Sequence, residues 1–306
     1  MNKYRQSPIF YMGNKYKLLK YIIPLFPKNC DVFVDGFGGS AVVSINYKGK
    51  NKTIYNEYNP NIYNLVKLFK DNNFDVLDEY IQNTIDKYDL KTGKKRKNFD
   101  SEDAFLEYMN LKKERYNKFR AQYNGSIGGR KYLDLYILSI FSCNHLIRFN
   151  TKDEFNASFG SNGDYNENLK NKIKDGVEGL KGIELLNKDF FDLDLSVLSK
   201  DSFVYVDPPY LNTTAVYNEK RAYGGWNIDS DYRLFKVLEE LNNRGIKWGF
   251  SNVFINRGIS NNHLIKWCED NDWNVLHLQR NYNPFSRGNS NNDEVYIYNY
   301  EVSLWE

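Results

Sequence analysis

The most specific chemistry in the chain lies in four consecutive residues, Asp207-Pro208-Pro209-Tyr210, directly after the apolar run Ser202-Phe-Val-Tyr-Val206. At ordinary composition, chance matches to this tetrapeptide are expected on the order of 0.001 times in a chain of this length. Two prolines hold an extended, rigid turn and leave backbone carbonyls without an internal partner. The Asp207 carboxylate and the Pro208 carbonyl can then both accept hydrogen bonds from one exocyclic amine. An aromatic amine such as adenine N6 is a poor nucleophile because its lone pair is delocalised into the ring. Two acceptors aimed at its hydrogens draw the nitrogen toward tetrahedral geometry and direct the lone pair at a methyl donor, so positioning and electrostatics supply most of the catalysis. Tyr210 offers a face on which a base flipped out of a duplex stacks. A Pro-Pro turn of structural value alone is the bland alternative.

A second signal is the glycine turn Asp35-Gly36-Phe37-Gly38-Gly39-Ser40 after the run Asp31-Val-Phe-Val. Open α/β sheets place their ligands at such strand ends, where backbone amides can approach them. Glu57, 22 residues after Asp35, closes the next short strand at the distance where a Rossmann-type sheet binds a ribose hydroxyl. Alone this pattern suits NAD, FAD or S-adenosylmethionine, and a tight turn with a surface carboxylate remains open beside them.

These residues need a sheet to hold them. Strand patterns at 31–35, 53–55, 182–186, 202–206, 246–250 and 273–278, with a last strand at 294–300, alternate with helical spacing at 61–70, 229–241 and 262–269. Ser40 to Ile45 reads as the start of a helix after the glycine turn, and 273–278 with 294–300 as an antiparallel hairpin. From about 75 to 165 apolar strands give way to polar helices at 76–88, 103–116 and 131–141. The expected fold is α/β: a Rossmann-like sheet from 1–74 and 166–306, its last strand antiparallel, carrying a mainly helical insertion over 75–165.

Composition narrows the classes. The 306 residues include 42 Lys plus Arg against 39 Asp plus Glu, which is too balanced to prove a nucleic-acid partner. Local cations say more: Lys91, Lys94, Lys95, Arg96 and Lys97 form a run, and Lys112, Lys113, Arg115, Lys118, Arg120, Arg130, Lys131 and Arg148 follow. No run approaches the roughly 18 apolar residues of a membrane span, and no secretory leader is visible, so a cytoplasmic protein is expected. Cys30, Cys143 and Cys268 are too scattered for a disulfide framework or, with three His, for a metal cluster.

The two motifs and their order resemble the Dam-type, D12 class DNA adenine-N6 methyltransferases of the alpha group, in which a target-recognition domain lies between the cofactor turn and the catalytic tetrapeptide. Tyr11-Met-Gly-Asn-Lys15-Tyr-Lys-Leu-Leu19 is similar to the family's amino-terminal motif, and Arg148-Phe-Asn150 with Phe155-Asn156 and Phe159-Gly160 to the segment closing its recognition domain. The resemblance implies S-adenosylmethionine as cofactor and no metal. It further implies that Lys15 and Asp35 hold the methionine end, Phe37 packs beside it, Glu57 binds the ribose and Asp189-Phe190 flank the adenine, with Tyr11 joining them. It makes 75–165 the DNA reader, Leu146 and Arg148 the base-reading candidates, and Arg130, Asn144, Asn150 and Asn156 further DNA contacts. The chain departs from the family at Phe10, where cellular members carry a Lys that reads the first guanine, and at Ser158, where many carry Pro. The target is thus GATC or a variant of it.

Cytosine-C5 transfer is excluded, because no cysteine follows a proline. Cytosine-N4 transfer, with the same geometry, stays open, as does an idle DNA-binding protein of the same fold; an NAD enzyme ranks last, since hydride transfer has no use for Asp207 to Tyr210. Ser251-Asn252 lines the base pocket or makes a strand-end turn. Tyr217 and Trp226 are candidate gates over the base. Double-stranded DNA is the expected partner in a bacterial or phage-infected cell, and a cognate restriction endonuclease is a second partner that the sequence leaves open.

Overall fold

The computed structural model describes residues 4–92, 96–126, 131–211, 225–278 and 292–302. The short apolar runs become strands β1 (Val32–Asp35), β2 (Lys52–Asn56), β3 (Ile183–Leu186), β4 (Phe203–Val206), β5 (Lys247–Asn256), β6 (Ile259–Ser260), β7 (Asn274–Leu278) and β8 (Asp293–Tyr298). They form one sheet in the order β3-β2-β1-β4-β5-β8-β7, with β6 paired to β5. Strands β1 to β5 run parallel, and β8 runs antiparallel between β5 and β7, as the sequence pattern predicts.

Period-two alternation explains why these runs are apolar throughout: parallel strands bury both faces. Along β4, Val204 and Val206 join a core with Leu234, Leu238, Trp248 and Ile297. Phe203 and Tyr205 point the other way, where the Phe26 ring lies 4.9 and 5.2 Å from theirs.

The helices are α1 (Leu19–Ile22), α2 (Pro60–Asp71), α3 (Phe74–Lys87), α4 (Glu102–Asn124), α5 (Tyr132–Phe141), α6 (Glu167–Gly179), α7 (Ile228–Asn243) and α8 (Asn262–Asp270). The asparagine-rich composition supplies caps. Asn73, Asn166 and Asn227 each accept a bond from a first-turn amide of α3, α6 and α7, satisfying donors that a helix start leaves without partners. Two sequence expectations fail. No regular helix forms over Ser40–Ile45, because Ala41 takes a left-handed φ of 61°, which breaks helical geometry and leaves a set of turns. The helix expected over 103–116 runs on to Asn124.

The chain divides into two compact units. Lys15–Asn59 with Gly182–Glu306 carries the whole sheet, and Met1–Asn14 with Pro60–Lys181 is mainly helical. In the helical unit α5 is apolar almost all round and buried at seven of its ten positions, the pattern of a central helix. Helices α2, α3 and α4 pack on it, which makes this unit wider than the expected 75–165 insertion. Pro8 lies against α6 so closely that a Cβ at Gly176 would come within 2.4 Å of its ring. Among the described residues no helix is long and apolar enough to cross a membrane, and no cluster of His, Cys, Asp and Glu is placed to hold a metal.

Candidate active site and hairpin of the helical unit

In the sheet unit the strand order reverses between β1 and β4, where open α/β sheets bind ligands beyond the carboxyl ends of the strands. Asp35 ends β1, opposite Tyr205 of β4, and Asp207 lies one residue past the end of β4. Both motifs therefore meet at this switch point.

The glycine turn is held mainly by β2. The Gly38 amide donates to the Asn56 carbonyl (2.8 Å), Tyr55 OH donates to the Gly39 carbonyl (2.7 Å), and the Asn56 amide group bridges the Gly36 and Lys188 carbonyls at 3.1 Å each. Residue size is dictated too: a Cβ at Gly38 would come within 2.2 Å of the Tyr55 ring, and one at Gly36 within 2.7 Å of Phe190. Glu57 accepts from the Gly39 amide (2.9 Å) and the Asn59 amide (2.7 Å), so it braces the turn. Asp189 accepts from the Phe191 amide (3.1 Å), and Phe190 stacks on Phe37 at 4.9 Å.

Asp35 is 1% exposed. Ser44 donates to its Oδ2 (2.6 Å), whereas Oδ1 is buried without a hydrogen-bond partner. Burial, with Asp207 nearby, lifts its pKa from 3.8 to about 7, the Ser44 bond opposing. A buried acceptor in this state calls for a cationic donor, which the amino group of a bound amino acid moiety would be.

Asp207 is held differently. The Lys15 ammonium, from the short 3-10 turn before α1, sits 2.7 Å from Oδ2, both side chains being largely buried. Tyr210 OH donates to Oδ1 (2.9 Å), and Lys15 lies 5.1 Å from the centre of the Tyr210 ring. Burial raises the Asp207 pKa, and Lys15 followed by Tyr210 opposes the rise. Lys15 thus contacts the tetrapeptide, where the resemblance put it with Asp35 on the cofactor.

The helical unit contains a hairpin over residues 142–160, closed by the bridges Ser142↔Phe159 and Phe149↔Phe155. Arg148 crosses between its arms: Nε donates to Asn156 Oδ1 (2.8 Å) and Nη2 to the Asn156 carbonyl (2.9 Å). Asn150 Oδ1 accepts from the Lys152 and Glu154 amides, at 2.9 Å each, and shapes the turn. The second arm is tied to α4 by Tyr116 and Arg120, both donating to the Ala157 carbonyl (3.0 Å). Asn144 is exposed and Leu146 half-buried. Several cations expected to meet phosphates are already paired: Lys91 with Asp86, Arg96 with Glu102, and Lys112 and Arg115 with Asp89. Lys94, Lys95, Arg130 and Tyr217 lie outside the described residues.

Residues 11–283 match the family described as D12 class N6 adenine-specific DNA methyltransferases. The chain belongs to this family. It is 39% identical to the modification methylase StsI of Streptococcus sanguinis over 99% of its own length and 44% of the relative's. It is 33% identical to the type II methyltransferase M.FokI of Planomicrobium okeanokoites over 98% of this chain and 43% of that one. A DNA adenine methylase of Haemophilus influenzae is 28% identical over 65% of this chain and 61% of the relative. The chain spans less than half the length of the two modification methylases.

Within this D12 class member, the sheet brings together Lys15, Asp35 to Ser40, Glu57, Asp189, Phe190 and Asp207 to Tyr210, while Tyr11 belongs to the helical unit. Sequence reasoning missed the residues that hold the turn, Ser44, Tyr55 and Asn56. Only Asn56 carried a signal, as the strand-ending residue before Glu57. It also missed the support of Trp226, whose Nε1 donates to Asp231 (2.6 Å), itself 2.7 Å from His263 Nε2. Trp226 packs edge-on against Phe37 at 5.3 Å and stacks on Phe191 at 6.1 Å. Ser251 and Asn252 lie inside β5, not at a strand-end turn, and Ser251 Oγ is 2.8 Å from Tyr205 OH.

Proposed function

We propose that this chain transfers a methyl group from S-adenosylmethionine to N6 of a flipped adenine in double-stranded DNA. The observation that carries the reading is the Asp207 carboxylate, fixed by Lys15 and Tyr210 at the switch point beside Asp35. Each Asp207 oxygen keeps a lone pair beyond its present partner, so it can accept an N6 hydrogen, with the Pro208 carbonyl taking the other. Lys15 favours the charged form of Asp207, and burial keeps that carboxylate a ready acceptor for the N6 proton. Tyr210, anchored through its hydroxyl, orients the base.

Asp35 Oδ1, buried and without a hydrogen-bond partner, fits the ammonium of the cofactor's methionine end, and Glu57, bonded to the glycine turn at the end of β2, is the candidate for its ribose. Phe37 and Phe190 offer apolar faces near the adenine. S-adenosylmethionine, once bound, supplies a methyl group on a sulfonium, an excellent leaving group. Hairpin 142–160 is the DNA-facing element of the helical unit, a two-stranded ribbon being one of the shapes that a major groove admits. The names of the relatives support a modification role, and such a role is consistent with a cognate restriction endonuclease in a bacterial cytoplasm.

The test is methyl transfer from labelled S-adenosylmethionine to unmethylated duplex, with nucleoside analysis, for the wild type and Asp207→Ala. Label in N6-methyladenine that is lost in the variant supports the reading. Label on cytosine replaces it with N4 transfer, and absence of label with DNA binding intact leaves an idle binding protein.

A further inference from the structure

At the entry to the hairpin, Asn144 and His145 are consecutive non-glycine residues in the left-handed region, with φ of 54° and 55°. Each such residue costs of order 1 kcal/mol or more, so the surroundings must enforce the geometry. The His145 amide donates to the Ser142 carbonyl (3.0 Å), the Leu146 amide to the Cys143 carbonyl (3.3 Å) and the Cys143 amide to the Ser158 carbonyl (2.7 Å). Glycine would satisfy this backbone without strain, so the imidazole itself needs an explanation.

The ring is held on two sides. Phe10 stacks on it at 4.1 Å with an interplanar angle of 14°, and Nδ1 lies 3.0 Å from the Ile140 carbonyl. A carbonyl only accepts, so Nδ1 carries the proton, and in neutral imidazole Nε2 is left as a lone-pair acceptor. The neighbouring base-reading candidate is committed elsewhere, since Arg148 spends Nε and Nη2 on Asn156. An oriented acceptor on a half-buried ring beside the exposed Asn144 is suited to meet a donor. On the major-groove edge the donors are adenine N6 and cytosine N4.

We propose that His145 reads an exocyclic amine on the major-groove edge of the target site, and that Phe10 is the positioning residue that aims its imidazole. The inference rests on the assignment of residues 142–160 as the DNA-facing hairpin. The decisive variant is His145→Gly, which removes the ring and relieves the left-handed backbone, so loss of folding does not confound it.

The measurement is selection of duplexes from a randomised library without any methyl donor. Binding alone is then read, and a failure of methyl transfer stays separate. The wild-type consensus should contain one base pair whose discrimination falls roughly tenfold in His145→Gly, the other positions holding. Phe10→Leu should weaken the same position by less. Replacing the contacted base by its amine-free analogue, purine for adenine or 2-pyrimidinone for cytosine, should cost the wild type the same factor and cost His145→Gly nothing. An unchanged consensus in His145→Gly overturns the proposal. So does a wild-type indifference to the amine-free bases, or a loss that instead follows 7-deazaguanine, which would make the ring a donor.

Discussion

The glycine-turn end of the sheet and the hairpin of the helical unit use polar side chains in opposite ways. Around the switch point, backbone groups and neighbours such as Tyr55 and Asn56 do the bracing, which leaves Asp35 Oδ1 and the second lone pairs of Asp207 for a ligand. In the hairpin the residues that look most like ligand contacts are spent on the hairpin itself, Arg148 on Asn156 and Asn150 on Glu154. A polar residue type at a suggestive position therefore identifies a site only when some other group carries the structural load.

The largest expected effect breaks the catalytic side of this contrast. Lys15→Met leaves Asp207 largely buried without its cation, a change that costs about 3–5 kcal/mol where a buried pair is broken. Methyl transfer should fall by a factor of about 1,000 or more, in the range of lost electrostatic stabilisation. The same variant should melt well below the wild type in a thermal scan. Wild-type turnover in Lys15→Met would remove the ion pair from the mechanism.

Next comes Asp35, where function and stability should move in opposite directions. Its folded-state pKa of about 7 lies above the ordinary 3.8, so between those values the folded protein binds a proton that the unfolded chain does not. Stability from this group is therefore present at low pH and lost as pH rises through about 7. Asp35→Asn should melt higher than the wild type at pH 8 and equal to it near pH 4. It should also bind S-adenosylmethionine at least tenfold more weakly at pH 8, and the wild-type rise in affinity between pH 6 and 8 should vanish. A wild-type affinity flat across that range would mean that Asp35 does not face the cofactor's cation.

This split marks how far the sequence could be read. The strands, the antiparallel β8 and the two motifs at strand ends were legible, because short apolar runs, a glycine turn and a rare proline-proline turn are local signals; the order of the strands in the sheet was not. The turns at 40–45 were not: Ala41 has a left-handed φ, and nothing in Ser-Ala-Val-Val announces it. The Lys15–Asp207 pair spans 192 positions and the Asp231–His263 pair 32, separations at which residue type alone names no partner. Arg148 was legible as important but not as a brace, since an arginine in a hairpin suits either role until its guanidinium is located.

Hairpin bracing is tested by Arg148→Ala and Asn156→Ala. Each should destabilise the hairpin by about 2 kcal/mol, the scale of hydrogen bonds to a charged group, and the double variant by little more than either alone. Amide exchange over residues 146–158 reads this directly, without DNA. If Arg148 only reads a base, exchange should stay at the wild-type rate while DNA affinity drops.

The smallest effect concerns support at one remove from the ligand. Asp231 is 1% exposed and accepts from Trp226, and its other oxygen faces His263. Asp231→Asn keeps an acceptor for Trp226 and gives up the one for His263, so Trp226 should loosen against Phe37 and Phe191 rather than leave them. A two- to fivefold rise in the KM for S-adenosylmethionine with kcat held, about 0.4–1 kcal/mol, is the expected signature of weakened uniform binding. A fall in kcat at constant KM would instead place this network under the tetrapeptide.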